Sequence, residues 1–209
     1  MHSGIKTSPA TKRPRGRPRS YEPETALRQA TEVFWKTGYS GTSLDDISTA
    51  TGMNRPSLRA AFGDKHDIYI KTLGAYWERK LAAMHDALAG GGRLDEALMR
   101  VYDSALSIYF SGDRQARGCF VVGTAITEAG TDPEIQEIVA KGFRALDTSL
   151  EARFKVAREA GELDRNADAK ALALLATATL HTLALRARAG SPREELRKLA
   201  RKAIRAICG

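Results

Sequence analysis

Cysteine is scarce: Cys119 and Cys208 are the two thiols in 209 residues. Two thiols cannot make a disulfide framework, and this usage suits a reducing cytosol. Histidine is scarce as well. His2, His66, His85 and His181 are scattered, with no pair at i, i+4. No CxxC, HExxH or glycine-rich phosphate loop occurs, so no motif for a metal, a nucleotide or another cofactor is present. Asp45 and Asp46 are adjacent and diverge on a helix, so they do not form an acid–base pair. Nothing argues for an enzyme. The basic N-terminus is followed by no apolar run, so no signal peptide is expected. The longest apolar stretch, residues 171–185, is shorter than the ~20 residues a bilayer needs and contains His181. It reads as a buried helix, and no membrane partner is expected. Strand-type alternation and internal repeats are also missing, which leaves an all-α chain.

What is present begins with charge. The net charge is +8, and residues 1–20 carry Lys6, Lys12, Arg13, Arg15, Arg17 and Arg19 with no acid. The excess is therefore a tail rather than a charged body, and a basic tail implies a polyanionic partner. Residues 1–19 are rich in proline and glycine, lack an apolar period and read as a disordered arm. Within it, Pro14-Arg15-Gly16-Arg17-Pro18 resembles an AT-hook core. An extended Arg-Gly-Arg unit is narrow enough for a minor groove, where A·T tracts concentrate negative potential. Arg15 and Arg17 either read that groove or only raise affinity without regard to sequence.

The chain is organised around residues 38–69. A short helix is expected from about Leu44 to Thr51, capped by Ser43 with Asp46 completing a capping box. Gly52 then stands where a chain leaves a helix with positive φ. A second short helix is expected from about Asn54 to Phe62, with Asn54 as cap and Pro56 in the first turn. Leu58 and Phe62 share an inward face, which leaves Arg55, Ser57, Arg59 and Ala60 facing out. Such a pair is too small to fold alone. The missing third helix is residues 22–37, with Ala26, Leu27, Ala30, Val33 and Phe34 on one stripe and Trp35 at its edge. An exposed short helix bearing arginines suits a major groove, where arginine can grip guanine through two bonds.

Gly38-Tyr39, Gly41-Thr42-Ser43, Ile47, Gly52, Ser57-Leu58 and Phe62-Gly63-Asp64-Lys65 resemble the DNA-binding domain of the TetR family of bacterial repressors. The resemblance is specific over about residues 21–70. It implies a helix-turn-helix domain over 20–65 and a helical regulatory and dimerisation domain over 66–209. It also implies operator contacts from Thr42, Ser43, Asn54, Arg55, Pro56, Ser57, Arg59, Ala60 and Lys65. Arg59 stands where the family usually has an aromatic, and Ala61 where it often has a histidine. Arg59 offers a different, cationic contact, and Ala61 offers no polar one. Lys65, at the start of the helix capped by Asp64, would sit beside a backbone phosphate.

Beyond this domain, helices are expected over 64–89, 93–110, 120–129, 132–160, 167–189 and from Ser191-Pro192-Arg193-Glu194 to the end. The 167–189 helix holds Leu172, Leu175, Ala176, Thr179, Leu183 and Leu185, with Ala173, Ala176 and Ala184 permitting close helix approach. It and residues 142–154 either close the monomer's own core or make a four-helix bundle with a second copy. TetR-like proteins dimerise through the corresponding helices. The resemblance places an effector pocket inside the helical body, where Tyr76, Met84, Tyr102, Tyr109, Phe120, Thr124, Phe143 and His181 would line it. Cys119, beside Arg114 and Arg117, is either a redox-sensitive thiol or a small buried hydrophobe.

The resulting expectation is a cytoplasmic, homodimeric, ligand-released repressor on a palindromic operator. Two alternatives remain for a DNA-binding chain: an architectural protein preferring A·T-rich DNA, and a regulator switched through Cys119. A helical ligand carrier or thiol enzyme with an incidental basic arm is the reading from outside that class.

Overall fold

A computed structural model describes residues 22–111 and 116–209. All regular elements among these are helical. The first three are α1 (Pro23–Thr37), α2 (Leu44–Thr51) and α3 (Arg55–Phe62). Next come α4 (Lys65–Ala89) and α5 (Leu94–Tyr109). A π-helical turn, Val121–Ala125, runs into the short α6 (Ile126–Glu128). The chain ends in α7 (Pro133–Glu159), α8 (Ala169–Arg188) and α9 (Arg193–Cys208). The AT-hook-like segment and Arg114 lie outside the described residues.

Local capping chemistry sets most of these boundaries. Ser43 and Asp46 form the expected capping box on α2, and Asp64 and Asp67 form another on α4. Asp132 accepts from the amides of Glu134 and Ile135 at the start of α7. The left-handed Gly52, at φ 66°, turns the chain from α2 towards α3. The final helix departs from expectation. Its N-cap is Pro192, with no side-chain cap, which leaves Ser191 one residue too early to serve. The expected 120–129 helix also differs, because its first turn is wound as π-helix.

One apolar core runs from α1 to α9. Ala26, Ala30, Phe34, Ile47, Leu58 and Phe62 close the three-helix corner against Ile68 and Tyr69 of α4. Helix α4 thus belongs to both halves of the molecule, and the boundary read at residue 65 falls on its first residue. At 1.5 Å per residue its 25 residues span about 37 Å. Its later turns pack on α5 and α7, while α7, α8 and α9 complete the body. Gly142 makes room on α7 for a side chain of α4: a Cβ there would lie 2.1 Å from the Trp77 ring.

Of the apolar residues expected along helix α8, Leu175 and Leu185 are 55% and 57% exposed, and their neighbour Leu174 is 51% exposed. The inward set is Ala173, Ala176, Leu180, Leu183, Ala184 and Ala187. A helix that is apolar all round carries no periodic signal to choose between faces. The alanines read as contacts for a second copy therefore pack inside the protomer. Gly142 and Phe154 are likewise buried within it.

Candidate nucleic-acid interface and effector region

Helices α2 and α3 meet across the Gly52 turn, and α3 presents its outer face to solvent. On that face Arg55, Pro56, Arg59 and Ala60 are exposed, with Ser57 half-buried. Asn54 Oδ1 accepts from the Ser57 amide at 2.9 Å, so the asparagine is committed to capping. Arg55 is committed as well: Nε donates to Asp45 at 2.5 Å, and a second guanidinium nitrogen completes a bidentate pair. That pairing holds the Asp45 carboxyl below its usual range. Arg59 is different, since no hydrogen bond or ion pair ties it among the described residues. The Ser57 hydroxyl is free in the same sense. Arg59, with Ser57 beside it, is therefore the unengaged polar group of α3, where the sequence had put Arg55 first.

Three other expected contacts turn out to have structural duties. Thr42 is buried, at 3% exposure. Its hydroxyl donates to the Gly38 carbonyl at 2.7 Å and lies 2.7 Å from the Thr37 hydroxyl. It offers nothing outward, because the turn before α2 consumes it. Ser43 is exposed but is occupied by the capping box. The Lys65 ammonium donates to the carbonyls of Tyr39 and Thr42 at 3.2 and 3.1 Å and sits 4.3 Å over the Tyr39 ring. It pins α4 to the turn before α2 and retains one N–H for a phosphate.

A short second helix behind a left-handed glycine, with a third helix underneath, is the helix-turn-helix arrangement. The comparisons with known proteins assign it. Residues 26–71 match the family described as bacterial regulatory proteins, tetR family. Residues 95–204 match the tetracyclin repressor-like C-terminal domain. The chain belongs to the TetR family. It is similar to the HTH-type transcriptional repressor ComR of Escherichia coli (strain K12). The two are 30% identical over 196 residues, 93% of this chain and 92% of ComR. An uncharacterized HTH-type transcriptional regulator of Bacillus subtilis (strain 168), YezE, is 30% identical over 159 residues, 76% of this chain and 81% of its own. Among solved structures, the TetR-family regulator CifR, complexed with 26-bp operator DNA, superposes with a TM-score of 0.82 at 28% identity. The match covers 91% of this chain and 99% of CifR. As a TetR-family protein the chain is a DNA-binding transcription regulator, not an enzyme.

The expected effector residues of this TetR-family chain are dispersed. Tyr76, Met84 and Tyr109 meet at a small inner void of about 20 Å³, room for a water at most. Tyr76 also lines a larger open crevice of about 540 Å³ between α1, α4 and α5. The other five line neither. The Tyr102 hydroxyl donates to the Ala176 carbonyl at 3.3 Å in the core. Thr124 donates to the Phe120 carbonyl and accepts from the Tyr69 hydroxyl, both at 2.8 Å. Phe120 packs between Trp35, Tyr69 and Tyr76. Phe143 lies against Trp77 and His181. Burial, with Lys80 nearby, lowers the His181 pKa to about 4, and its Nε2 is buried without a partner.

Three groups escaped the sequence reading. Lys80 is 7% exposed inside the helical body, and an i, i+4, i+8 run of Tyr76, Lys80 and Met84 was its only signal. Its ammonium, not Arg117, stands beside Cys119: Nζ and the Tyr76 hydroxyl reach Sγ at 3.5 and 3.2 Å. Full burial pushes the thiol up. Lys80, the Tyr76 hydroxyl and the amides of Val121 and Val122 outweigh it, so the pKa falls below the ordinary thiol value. Trp35, expected at the edge of its stripe, is 5% exposed. Its indole N–H donates to the Arg117 carbonyl at 3.2 Å, and the Arg117 guanidinium lies 3.9 Å over its ring. That guanidinium also pairs with Glu32 of α1 and donates to the Ser111 hydroxyl at 2.6 Å. Arg117 is thus a clasp holding the DNA-binding corner to the body. His66 makes a second clasp, with Nε2 at 2.7 Å from Asp132 at the head of α7.

Proposed function

We propose that this chain is a repressor that binds a palindromic operator as a homodimer and leaves it when a small molecule occupies the helical body. The observation that carries the reading is the outer face of α3, where Arg59 and Ser57 stand unengaged on a rigidly capped helix. Each subunit would lay one α3 in a major groove, and the two half-sites would lie a whole number of helical turns apart. In this reading Arg59 grips a base edge, Pro56 and Ala60 make apolar contact, and Lys65 meets a phosphate. Arg55 orders the α2–α3 corner through Asp45 and joins the DNA only if that pair opens. Arg15 and Arg17 follow the neighbouring minor groove. The site of action is the cytoplasm, and no helix among the described residues is long and apolar enough to cross a membrane.

The test is selection of bound sites from random duplex DNA, and a single palindromic motif is the expected result. Arg59→Ala should relax preference at one position per half-site, costing roughly 1–3 kcal/mol against the best sequence. Arg55→Ala should change the selected motif less than Arg59→Ala does. Selection that returns only A·T-rich DNA without symmetry would favour the architectural reading instead.

A second reading is supported by the contact of Lys80 and Tyr76 with Cys119. A thiol of lowered pKa is the more readily oxidised form of cysteine. If it governs the repressor, hydrogen peroxide dissociates the operator complex of the parent protein and leaves that of Cys119→Ser intact. Equal sensitivity of the two proteins removes Cys119 from the switch.

A further inference from the structure

The crevice between α1, α4 and α5 has an unusual charge balance. Arg28, Arg79, Lys80 and Arg117 line it, against one carboxylate, Glu32. That carboxylate is already held by Arg117. Lys80 lies at the floor, more than nine-tenths buried. Among the described residues no carboxylate reaches it. Its one hydrogen-bonding neighbour is the Cys119 sulfur, and the rings of Trp77 and Tyr76 lie 5.3 and 6.0 Å away. An ammonium has three N–H donors, so two are left without an acceptor. A second polar atom at the same crevice is also orphaned: Arg117 Nε is buried with no partner. Burying a cation this way is costly unless something compensates it. The remaining wall combines an apolar part, Trp35, Tyr76, Ala83 and Ile108, with the small polar Ser104, Ser107 and Ser111. A volume of about 540 Å³ is that of a small-molecule site.

We propose that this crevice binds a small organic anion, with its acid head on Lys80 and Arg117 and its apolar body along Trp35, Tyr76, Ala83 and Ile108. The proposal rests on the effector-released reading above and gives that effector its chemical class and its seat. The seat also supplies the link to DNA. Arg28, Glu32 and Trp35 belong to α1 of the DNA-binding corner, whereas Tyr76, Lys80 and Ile108 belong to the body. An acid entering here competes with Glu32 for the Arg117 guanidinium. It thereby opens the clasp that fixes α1, and the spacing of the two α3 helices is no longer set. Reciprocity requires that bound operator weaken the acid by the same factor.

The experiment uses the full chain, free of DNA, in a calorimeter, with 4-phenylbutyrate against 4-phenylbutanol and decanoate against decanol. Each pair differs at the head group alone. The acids should bind more tightly than their alcohols by about tenfold or more, the scale of one charge-assisted hydrogen bond in a sheltered site. Lys80→Met should erase that preference while melting no lower than the parent, because the lysine serves the ligand and not the core. Should Lys80→Met fail to fold, Arg79→Ala at the exposed rim decides, and it should weaken both acids. The proposal is overturned if acid and alcohol bind alike, if neither acid binds at millimolar concentration, or if the folded variants keep the parent's affinities. Site selection on DNA is independent of these titrations, so failure here leaves the operator reading standing.

Discussion

Leu175→Glu is expected to sediment as a monomer and to lose nearly all operator affinity while remaining folded. Leu175 is 55% exposed in the protomer, so a charge there leaves the subunit's own core intact. The same helix face carries Leu174 and Leu185 and the exposed Ala171, Ala178 and Ala189, and Val156 of α7 is 57% exposed. Exposed leucine of this density marks an association surface. Two α8 helices pressed together would bury that face. A glutamate trapped in the contact without a partner would cost roughly 3–5 kcal/mol, which is about two to three and a half decades in the dimer constant. Operator binding falls with it, because a monomer holds one half-site. A Leu175→Glu protein that stays dimeric in the centrifuge and keeps its operator affinity would place the interface elsewhere. Circular dichroism of the variant should match the parent, which separates dissociation from unfolding.

The second large effect is expected at Trp35. Its ring packs against Tyr76 and Phe120 at centroid distances of 5.5 and 5.4 Å and lies beneath the Arg117 guanidinium. Trp35→Ala removes all of this where α1 meets the body. Large aromatic truncations cost about 3–5 kcal/mol, and for a chain of this size that is roughly 6–20 °C in melting temperature. Trp35→Phe keeps most of the packing and loses the indole hydrogen bond to the Arg117 carbonyl. Its cost should be nearer 0.5–1.5 kcal/mol, about one net hydrogen bond, because the Arg117 carbonyl keeps the Arg188 guanidinium as a donor. A Trp35→Ala protein that melts within a degree or two of the parent would mean that the corner does not depend on this contact.

The features that were legible in the sequence share a cause. Capping boxes at Ser43 and Asp64, the Asp132 cap and the Gly52 turn are local chemistry, decided within four or five residues. They mark out the helix-turn-helix corner without reference to any tertiary contact. The illegible features are long-range or degenerate. Asp45 lies ten residues from Arg55 and pairs with it across the turn, a partner that no local spacing rule gives to the arginine the sequence favoured for base contact. Lys80 and Cys119 are thirty-nine residues apart, and no spacing rule joins them. Arg117 looked like the cation beside the thiol, because it is near in the chain. Its side chain instead points to α1, where Glu32 draws it. Helix α8 defeated the periodic reading for another reason: leucine and alanine occupy every side of it. Of the expected effector residues, Tyr76, Met84 and Tyr109 reach a void or the crevice and the other five do not, since aromatic side chains on inward stripes are core far more often than cavity wall. The residue that marks the crevice is the one cation in an apolar stripe.

The two tryptophans of the chain occupy places that make the protein its own optical instrument. Trp35 sits under a guanidinium at the junction with the DNA-binding corner. Trp77 stands edge-on to Phe143, and Gly142 leaves it the room it needs on α7. The first indole is buried beneath a cation at the edge of the crevice, so release of the clasp exposes it to water and moves its emission to the red. The second answers to the distance between α4 and α7. Retaining one tryptophan at a time, with phenylalanine in the other position, divides the signal into two channels, one at the crevice beside α1 and one at the α4–α7 contact. The order in which the two channels change after rapid mixing gives the sequence of events in the switch without any attached dye.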